Sequence, residues 1–537
     1  MIVALVSYFW CSSRVKVLSC GLLCVSCSAP ATPTGPPPTI AADSTVHVAA
    51  GPQYLRGAMH RFFWGKHYRK VWAVPVEARV INLRTAIPGG FTPVREGGSF
   101  QTKNLRLVTR DDLEYVLRSV DKDATKALPA QFQKGMIANL MKDQTSVINP
   151  YGAYIVPPLA KAAGVYYTNP RLVWLPDDPA LGNFRQSFAN ALYLLEERPD
   201  GNQRDSPNFG RSARVESSRK AFTNLIYSQR YRVDARQYLR ARLFDMWLGD
   251  WSRREDQWRW ASFPAAGGTV YRAIPRDRDH AFFKFDDGVL TRIISWFKTN
   301  YQSFHGKIKL QNVEGLNRAA LPMDKSLLAY LTANDFQQVA DSMRQQLSDG
   351  VIRQALQVWP QQVYNLVGPE FDAKLRQRRE QLPAVAAKFY ELLARDMELP
   401  GTDQAERFVV TAQSRWQLRV QVYAMRDSRP DSLLNQRTFD ARETRSIKLF
   451  GLGGADVFDL QSVPDARIAL SIYDGAGQDT IQQHATHTKA SLANITVYDS
   501  GDGNTVRVMP KKIKVEAYKP RAEEFDAAGW LLRHRLF

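Results

Sequence analysis

Two acidic stretches close together in the chain contain the residues best suited to chemistry. The first, LFDMWLGDWSRREDQWRW, covers Leu243 to Trp260 and places acids at the end of an apolar, helix-like segment. The second, YRAIPRDRDHAFFKFDD, covers Tyr271 to Asp287 and places Asp277 and Asp279 inside an aromatic, strand-like segment. Carboxylates that lie in a core need a cation or strong hydrogen-bond donors. The alternative interpretation is a surface strand in which neighbouring Arg and Asp residues pair.

Phosphoryl transfer requires this kind of residue set. It needs a backbone cradle and a cation for the phosphates, carboxylates for Mg²⁺, and a base that orients the attacking hydroxyl. The segment REGGSFQTK, which ends at Lys103, is a candidate cradle, although its glycines are also typical of a plain hairpin turn. Arg118 places a cation within an apolar strand, where it either reaches solvent or meets an anion. Glu197 is an acid that pairs with this cation or helps to hold metal.

The order of these segments resembles the spore coat protein H (CotH) kinase-like family, which is distantly related to HipA-type kinases. The resemblance covers about Lys103 to Phe283, and its most specific parts are GDWSRREDQW and YRAIPRDRDHAFF. It implies an atypical protein-kinase fold that binds ATP with Mg²⁺ or Mn²⁺ in a cleft between two lobes. Carried over residue by residue, it implies nucleotide-binding roles for Lys103, Arg118 and Glu197, and metal-binding roles for Gln257, Asp277 and Asp279.

The chain departs from this family at the position of the catalytic base. In the family, the base lies five residues before the amide that corresponds to Gln257, and this position is Ser252 here. A serine hydroxyl does not hold a proton near neutral pH as a carboxylate does, and a general base commonly contributes about 10²–10⁴ in rate. Asp250, two residues earlier, and Asp256 are the acids that would have to substitute.

Three segments are expected to position these residues. KNLRLVTRDDLEYVLRSVD alternates apolar and polar residues on both sides of the turn TRDD, which predicts a β-hairpin that carries Arg118. ALYLLEERPD predicts an apolar strand that carries Glu197. DARQYLRARLFDMWLGD has Leu239, Leu243 and Met246 on one helical face, so it predicts a helix that leads to Asp250.

The predicted fold class is α+β: a two-lobed atypical kinase-like domain with a helical extension, followed by an all-β C-terminal domain. A length of 537 residues favours two or three domains. The predicted segments are a signal peptide (1–27), a Pro/Ala/Thr-rich tether (28–53), the kinase-like domain (54–321), the helical extension (322–405), the β-rich domain (406–510) and a C-terminal tail (511–537).

The β-rich domain contains similar units of a strand, a Gly/Asp turn and another strand. Asp456 and Asp479 are 23 residues apart, and Tyr473 and Tyr498 are 25 residues apart, which predicts a short stacked solenoid or a sandwich. GLGGADVFD and DGAGQDTI resemble the GGxGxD nonapeptide of calcium-binding β-rolls. If Ca²⁺ binds, we expect Asp456, Asp474 and Asp479 to contribute ligands. Ordinary Gly/Asp turns are the alternative, because a true β-roll repeats every nine residues.

The charge and the cysteines limit the classes of function. The 72 Lys and Arg residues against 53 Asp and Glu residues give a net charge of +19, which favours anionic partners. No nucleic-acid recognition motif is evident, so nucleic acid is not an expected partner. The four cysteines (Cys11, Cys20, Cys24 and Cys27) all lie in the first 27 residues. This distribution excludes a disulfide scaffold or a thiolate metal site in the body of the chain.

The N-terminal segment is typical of an export signal. Arg14 and Lys16 precede an apolar run from Val17 to Val25 that is too short for a stable membrane anchor. LCVS before Cys27 resembles a bacterial lipoprotein cleavage site, with Cys27 as the lipidated residue, and Cys20 is a second candidate. We therefore expect an envelope protein, lipid-anchored in the outer membrane and facing the periplasm; simple secretion is the alternative.

Two functional hypotheses follow from the sequence. The first is an exported kinase-like enzyme that transfers ATP phosphate to a hydroxyl of an envelope or exported protein. The second is a catalytically degenerate envelope protein that uses the kinase-like scaffold and the β-rich domain for binding or assembly. Nucleotide binding would separate either hypothesis from an unrelated function, and Ser252 is the residue on which the two differ.

Overall fold

The computed structural model describes residues 44–97, 103–122, 125, 128–427, 429–461, 467–484, 495–501, 503–508 and 513–517. Several predicted segments lie wholly or partly outside the described residues. These are the signal peptide with Cys27, residues 28–43 of the tether, residues 98–102 of the Gly-containing segment, and residues 511–512 and 518–537 of the tail.

A seven-stranded sheet forms the N-terminal part of the described chain. Its strands are β1 (Thr45–Ala49), β2 (Pro75–Val80), β3 (Thr92–Gly97), β4 (Asn104–Val108), β5 (Glu114–Ser119), β6 (Arg171–Leu175) and β7 (Ala191–Glu197). Their order across the sheet is β1-β2-β6-β7-β5-β4-β3. β4 and β5 pair antiparallel with Asn104 opposite Arg118, which confirms the predicted hairpin. β7 pairs with β5, so the two strands predicted to carry Arg118 and Glu197 lie side by side.

Short helices pack around this sheet: α1 (Ala58–Trp64), α2 (Arg69–Ala73), α3 (Met136–Asp143), α4 (Val156–Ala162) and α5 (Arg185–Phe188). A buried ion pair joins two of them, since the guanidinium of Arg69 donates to both oxygens of Asp143 at 2.7 Å. Trp72 of α2 is fully buried and its indole donates to the carbonyl of Ile148 at 2.8 Å.

A second, four-stranded sheet follows, with α6 (Ser218–Tyr227) and α7 (Ala235–Leu248) beside it. Its strands are β8 (Arg214–Ser217), β9 (Tyr231–Val233), β10 (Trp258–Ala265) and β11 (Gly268–Pro275), in the order β8-β10-β11-β9. The predicted helix before Asp250 is confirmed as α7. The carboxylate of Asp234 caps its first turn by accepting from Gln237 N at 3.1 Å, and Gly249, at φ +70°, ends it.

The prediction that Asp277 and Asp279 lie within a strand is wrong. β11 ends at Pro275, and both acids belong to the loop that follows. Asp277 has φ +57°, a left-handed conformation that a strand does not contain. The turn immediately after the strand therefore redirects both carboxylates.

Helices dominate the next hundred residues: α8 (Val289–Phe297), α9 (Val313–Asn317), α10 (Leu321–Leu327), α11 (Ala333–Gln346), α12 (Asp349–Leu356), α13 (Gln361–Glu380) and α14 (Leu382–Ala394). The apolar residues of α9 to α14 belong to the same core as those of α7 and β10. The fully buried Arg242 of α7 pairs with Asp324 of α10 at 2.9 Å. The predicted border between the kinase-like domain and the helical extension, between residues 321 and 322, therefore lies within one continuous core.

The C-terminal region consists of two stacked sheets, and from residue 429 onward successive strands alternate between them. The strands are β12 (Asp396–Pro400), β13 (Glu406–Ala412), β14 (Gln417–Arg426), β15 (Arg429–Asp440), β16 (Ser446–Phe450), β17 (Val457–Gln461), β18 (Ala469–Tyr473), β19 (Thr480–Gln483), β20 (Ile495–Asp499), β21 (Thr505–Arg507) and β22 (Lys514–Ala517). One sheet has the order β12-β16-β18-β20-β22, all parallel, and the other has the order β15-β14-β13-β17-β19-β21.

These parallel strands stack as the coils of a solenoid. Phe450, Tyr473 and Tyr498 occupy equivalent positions in successive coils, with ring centroids 4.8 and 4.4 Å apart and nearly parallel planes. The predicted period therefore corresponds to one solenoid coil. The predicted fold class, α+β with a β-rich C-terminal region, is confirmed. Among the described residues, no helix has the length and apolarity that crossing a bilayer requires.

Candidate active site

The hairpin of β10 and β11 brings the two acidic stretches of the sequence together. Trp258 pairs with Pro275 at its open end, and the next backbone bond runs from Arg276 N to the carbonyl of Gln257 at 2.9 Å. The loop that precedes β10 and the loop that follows β11 therefore meet at this end of the hairpin. Residues far apart in the sequence, such as Ser252 and Asp277, lie on these two loops.

Arg118 of β5 faces this point from the seven-stranded sheet. Its guanidinium is buried, donates to the carboxylate of Glu196, and lies 3.3 Å from Oδ1 of Asp277. Thr168 Oγ1 donates to the second oxygen of Glu196 at 2.9 Å. Arg118 is thus held between Glu196 of its own sheet and Asp277 of the loop that follows β11.

The acid that pairs with Arg118 is Glu196, not Glu197 as predicted. Glu197 points to the other face of β7, where it accepts hydrogen bonds from the backbone and side chain of Asn169 at 2.7 and 3.1 Å. The physical reason is the pleat of a strand, which sends neighbouring side chains to opposite faces. Glu196 and Leu194 face the side to which Arg118 points, because all three line one cleft.

A second ion pair, which sequence reasoning missed, lies beside the first. Lys122, three residues after β5, is buried and its Nζ lies 2.5 Å from Oδ2 of Asp279. In the sequence, Lys122 belongs to the charged segment SVDKD after the predicted hairpin, which is typical of an exposed loop. No local signal identifies it; only the three-dimensional fold brings it to Asp279.

The ionisation of the two carboxylates differs. Burial opposes ionisation of Asp277, but the charges of Arg118 and Lys122 hold its pKa below the usual value. Burial raises the pKa of Asp279 above its usual value, although Lys122 opposes this. The adjacent His280 is neutral, since burial and then Lys122 lower its pKa to about 3. The site thus combines one firmly anionic carboxylate with one that binds a proton more readily.

The candidate base Ser252 lies against the candidate ligand Gln257. Gln257 Nε2 donates to Ser252 Oγ at 3.3 Å, and both side chains are buried. Gln257 Oε1 is a buried oxygen that accepts no hydrogen bond from the described residues. Asp277 Oδ1 is also buried, and Arg118 forms an ion pair with it. An amide oxygen and a carboxylate oxygen at the end of one hairpin are ligands that fit a hard divalent cation such as Mg²⁺.

Asp250, the first candidate substitute for the base, is engaged by arginines. It is fully buried, pairs with Arg253 and lies 3.5 Å from Arg278. Burial raises its pKa, with Arg253 opposing the shift. The other substitute, Asp256, is exposed and pairs with Arg254 at 3.1 Å. Asp250 therefore anchors the loop through arginines, and Ser252 is the residue beside the amide of Gln257.

Arg253 and Arg278 belong to a buried ionic cluster beneath the site. Asp245 of α7 lies 3.3 Å from Arg253 and also pairs with Arg242 and Arg278. Arg253 donates to the backbone carbonyls of Arg276 and Asp277, so it ties the two loops together. In the sequence these arginines appear as a charged surface; only their burial identifies them as positioning residues.

A narrow cleft, with a cavity volume of only about 10 Å³, lies between the seven-stranded sheet and the loop after β11. Its walls include Arg118, Thr168, Glu196, Arg278 and Asp279. Lys103 lies at the start of β4, where its backbone pairs with that of Ser119, next to Arg118. The remainder of the predicted cradle lies in residues 98–102, outside the described chain.

The three aspartates predicted as calcium ligands accept hydrogen bonds from backbone groups in the turns of the solenoid. Glu406 N donates to Asp456, Asp456 N donates to Asp479, and Asp479 N donates to Asn504, each between successive coils at 2.7–2.8 Å. Asp474 accepts from the backbone of Gly475 at 2.7 Å. These residues thus form a ladder that joins neighbouring coils.

The ladder carboxylates are buried and hold protons unusually well. Burial, and then the charge of Glu406, raise the pKa of Asp456 to about 10. Burial raises the pKa of Asp474 to about 7 and that of Glu406 to about 7. Within the described ranges, no cluster of three or more His, Cys, Asp or Glu side chains is arranged to hold a metal ion.

Comparison with known proteins finds no matching family model and no matching curated sequence. Among solved structures, the chain matches the crystal structure of a proinflammatory kinase, CtkA, of Helicobacter pylori. The two are 11% identical, and the match covers 56% of this chain and 96% of that one, with a TM-score of 0.27. A similarity at this level does not assign a fold or an activity to this chain.

Proposed function

We propose that the chain binds ATP with Mg²⁺ or Mn²⁺ in the cleft between the seven-stranded sheet and the β10–β11 hairpin. The observation that supports this most strongly is the ion pair of Arg118 with Asp277 across the cleft. This pair supports the proposal because it joins the cation that we propose for phosphate to the carboxylate that we propose for metal. Kinase-like phosphate transfer needs this pairing of parts.

The charges of the site fit a nucleotide and a metal together. Asp277, Asp279 and the amide oxygen of Gln257 would hold the metal, which neutralises phosphate charge and orients the transferred group when bound. Arg118 and Lys122 now neutralise the two carboxylates. With a cation at the carboxylates, both side chains would become free to donate to phosphate oxygens.

We further propose that the chain is an exported kinase-like phosphotransferase of low rate, with a protein hydroxyl as acceptor. Ser252 supports the low rate, because a hydroxyl at the base position cannot take up a proton near pH 7. Positioning and electrostatic stabilisation would remain. A catalytically degenerate binding protein is the second candidate, and the burial of Asp250 among arginines favours it.

Nucleotide-dependent thermal shift tests the binding proposal. ATP with Mn²⁺ should raise the melting temperature of the full chain, whereas neither ATP nor Mn²⁺ alone should do so to the same extent. A ligand that binds one site of the folded chain only, at 100 times its Kd, stabilises the fold by about 2.7 kcal/mol. No shift at millimolar ATP and Mn²⁺ would contradict the proposal.

The cell envelope is the proposed location, with lipidation at Cys27. The support is the lipoprotein-like sequence before Cys27 and the confinement of all four cysteines to the first 27 residues. Processing that globomycin blocks, together with fatty-acid labelling that Cys27→Ser removes, would establish the anchor. Labelling that persists in Cys27→Ser but is lost in Cys20→Ser would move the anchor to Cys20.

A further inference from the structure

Two adjacent helices present large apolar side chains to solvent instead of to the core. On α1, Met59 and Phe62 are 59% and 60% exposed, and on α8, Trp296 and Phe297 are 72% and 79% exposed. The other exposed large apolar residues on or beside these helices are Leu55, Phe63, Val289 and Ile293. Most helices of the chain bury such residues; α7, for example, buries its own on every side.

The exposed apolar residues of these two neighbouring helices together are named the aromatic patch. α1 and α8 pack against each other. Gly288, just before α8, lies so close to the end of α1 that a side chain there would approach the backbone N of Gly65 to 2.3 Å. Asp287 fixes the same junction by accepting from the backbone of His67 at 2.7 Å. The patch is therefore held rigidly.

The charges on and around the aromatic patch are positive. The sequences AMHRFFW of α1 and VLTRIISWF of α8 contain Arg61 and Arg292 and no acidic residue. Lys66 follows α1 and Lys298 follows α8, and both are exposed. The nearby acids Asp286 and Asp287 are engaged with His305 and His67. Aromatic residues with a basic rim are the composition of surfaces that lie in a membrane interface.

We infer that the aromatic patch inserts into the interface of an anionic membrane. Contiguous exposed apolar surface of this kind marks an interaction site, and its basic rim is complementary to anionic headgroups. A second copy of the chain fits less well, because Arg61, Arg292 and Lys298 would face like charges across the dimer. This inference is independent of ATP binding in the cleft.

Flotation with lipid vesicles tests the inference on the full chain. The chain carries Cys27→Ser throughout, so no acyl chain at that position contributes to binding. The N-terminal segment is common to all variants, so a difference between variants reports on the patch. Binding to vesicles of phosphatidylglycerol and phosphatidylethanolamine should be at least tenfold stronger than binding to phosphatidylcholine vesicles, and should weaken as salt rises from about 0.1 to 0.5 M.

The decisive variant is Trp296→Ser with Phe297→Ser, which should lower binding to the anionic vesicles at least tenfold. The matched control is Met136→Ser with Tyr227→Ser, two exposed apolar residues of other helices, which should change binding less than twofold. Arg292→Glu with Lys298→Glu should also weaken binding and reduce its salt dependence. Because all these side chains are exposed, each variant should keep the melting temperature of the parent.

Three results would overturn the inference. The first is that the parent chain does not bind anionic vesicles. The second is that Trp296→Ser with Phe297→Ser binds them as strongly as the parent does. The third is that this variant changes only the concentration dependence of sedimentation, which would assign the aromatic patch to self-association.

Discussion

Arg118 and Asp277 form an ion pair, with 3.3 Å between Nη1 and Oδ1, that joins the N-terminal sheet to the loop after β11. The same guanidinium is held by Glu196 from the neighbouring strand. Glu196 is buried and Asp277 is half-buried, so the cation between them reduces charge repulsion that burial would otherwise strengthen. Arg118 therefore organises the cleft, and substitutions of Glu196 or Asp277 should change the affinity for the ligand.

Glu196 and Glu197 provide a matched pair of variants. We expect Glu196→Gln to weaken ATP–Mn²⁺ binding about tenfold, because Arg118 loses the acid that orients it. Glu197→Gln should change binding less than twofold, because Glu197 faces Asn169 on the other side of β7. Calorimetric titration of both variants measures this difference. Equal losses in the two variants would mean that Glu196 does not position Arg118.

Ser252 should limit the rate of phosphate transfer. We expect Ser252→Asp to raise the initial rate of label transfer from γ-labelled ATP by a factor of about 10²–10⁴, the usual contribution of a general base. The Kd for ATP should change little, since Ser252 contacts Gln257 and not the cleft cations. Asp256→Asn is the control, because that carboxylate is exposed and pairs with Arg254.

Two outcomes bear directly on this prediction. A faster Ser252→Asp variant whose activity disappears in Ser252→Asp with Asp277→Asn would locate transfer in the cleft. An unchanged rate in Ser252→Asp would contradict the assignment of Ser252 to the base position.

The buried pair of Arg242 and Asp324 should stabilise the whole N-terminal core. We expect Arg242→Met to lower the free energy of unfolding by about 3–5 kcal/mol, because it leaves Asp324 buried without its cation. Arg236→Met on the same helix should cost less than about 1 kcal/mol, because Arg236 pairs with Asp335 at the surface. Urea unfolding followed by circular dichroism measures both. Similar losses of unfolding free energy in the two variants would show that burial of an ion pair does not determine its contribution to stability.

The solenoid should become less stable as the pH rises. In the folded chain the pKa of Asp456 is about 10, and those of Asp474 and Glu406 are about 7. Because these values lie above the unfolded ones, the folded state binds more protons. The resulting stability is fully present below about pH 4 and is lost as pH rises, first through about 7 and then through about 10.

Asp456→Asn tests this pH dependence. We expect the variant to melt several degrees above the parent at pH 8 and close to it at pH 4, because Asp456 must take up a proton when the chain folds at pH 8 and an amide need not. Asp431→Asn, at an exposed position of β15, should follow the parent at both pH values. A lower melting temperature for Asp456→Asn at pH 8 would contradict the interpretation that proton uptake by Asp456 on folding lowers the stability of the ladder.

Elements with a strong local pattern could be predicted from the sequence. The β4–β5 hairpin follows from alternation around TRDD, and α7 from apolar residues on one helical face. The 23-residue spacing of Asp456 and Asp479 predicted stacked units, because each turn of a solenoid repeats the same contacts. The alternation itself did not distinguish a solenoid from a sandwich, since the difference lies in parallel pairing between distant strands.

The candidate site depended on features that a local pattern does not contain. β7 is a nearly continuous apolar run, so its sequence did not show which of Glu196 and Glu197 faces Arg118. Asp277 and Asp279 follow the end of β11, and the left-handed backbone of Asp277 sets their direction. Lys122 reaches Asp279 only through the tertiary fold.

Direct titration of ATP with Mn²⁺ into the full chain and into its Asp277→Asn variant tests the central claim. The wild-type chain should bind about one ATP in a metal-dependent manner, and Asp277→Asn should weaken that binding at least tenfold without a comparable loss of melting temperature. Asp256→Asn should bind as the wild type does. Binding that is absent in the wild type, or that persists unchanged in Asp277→Asn, would contradict the proposed nucleotide site.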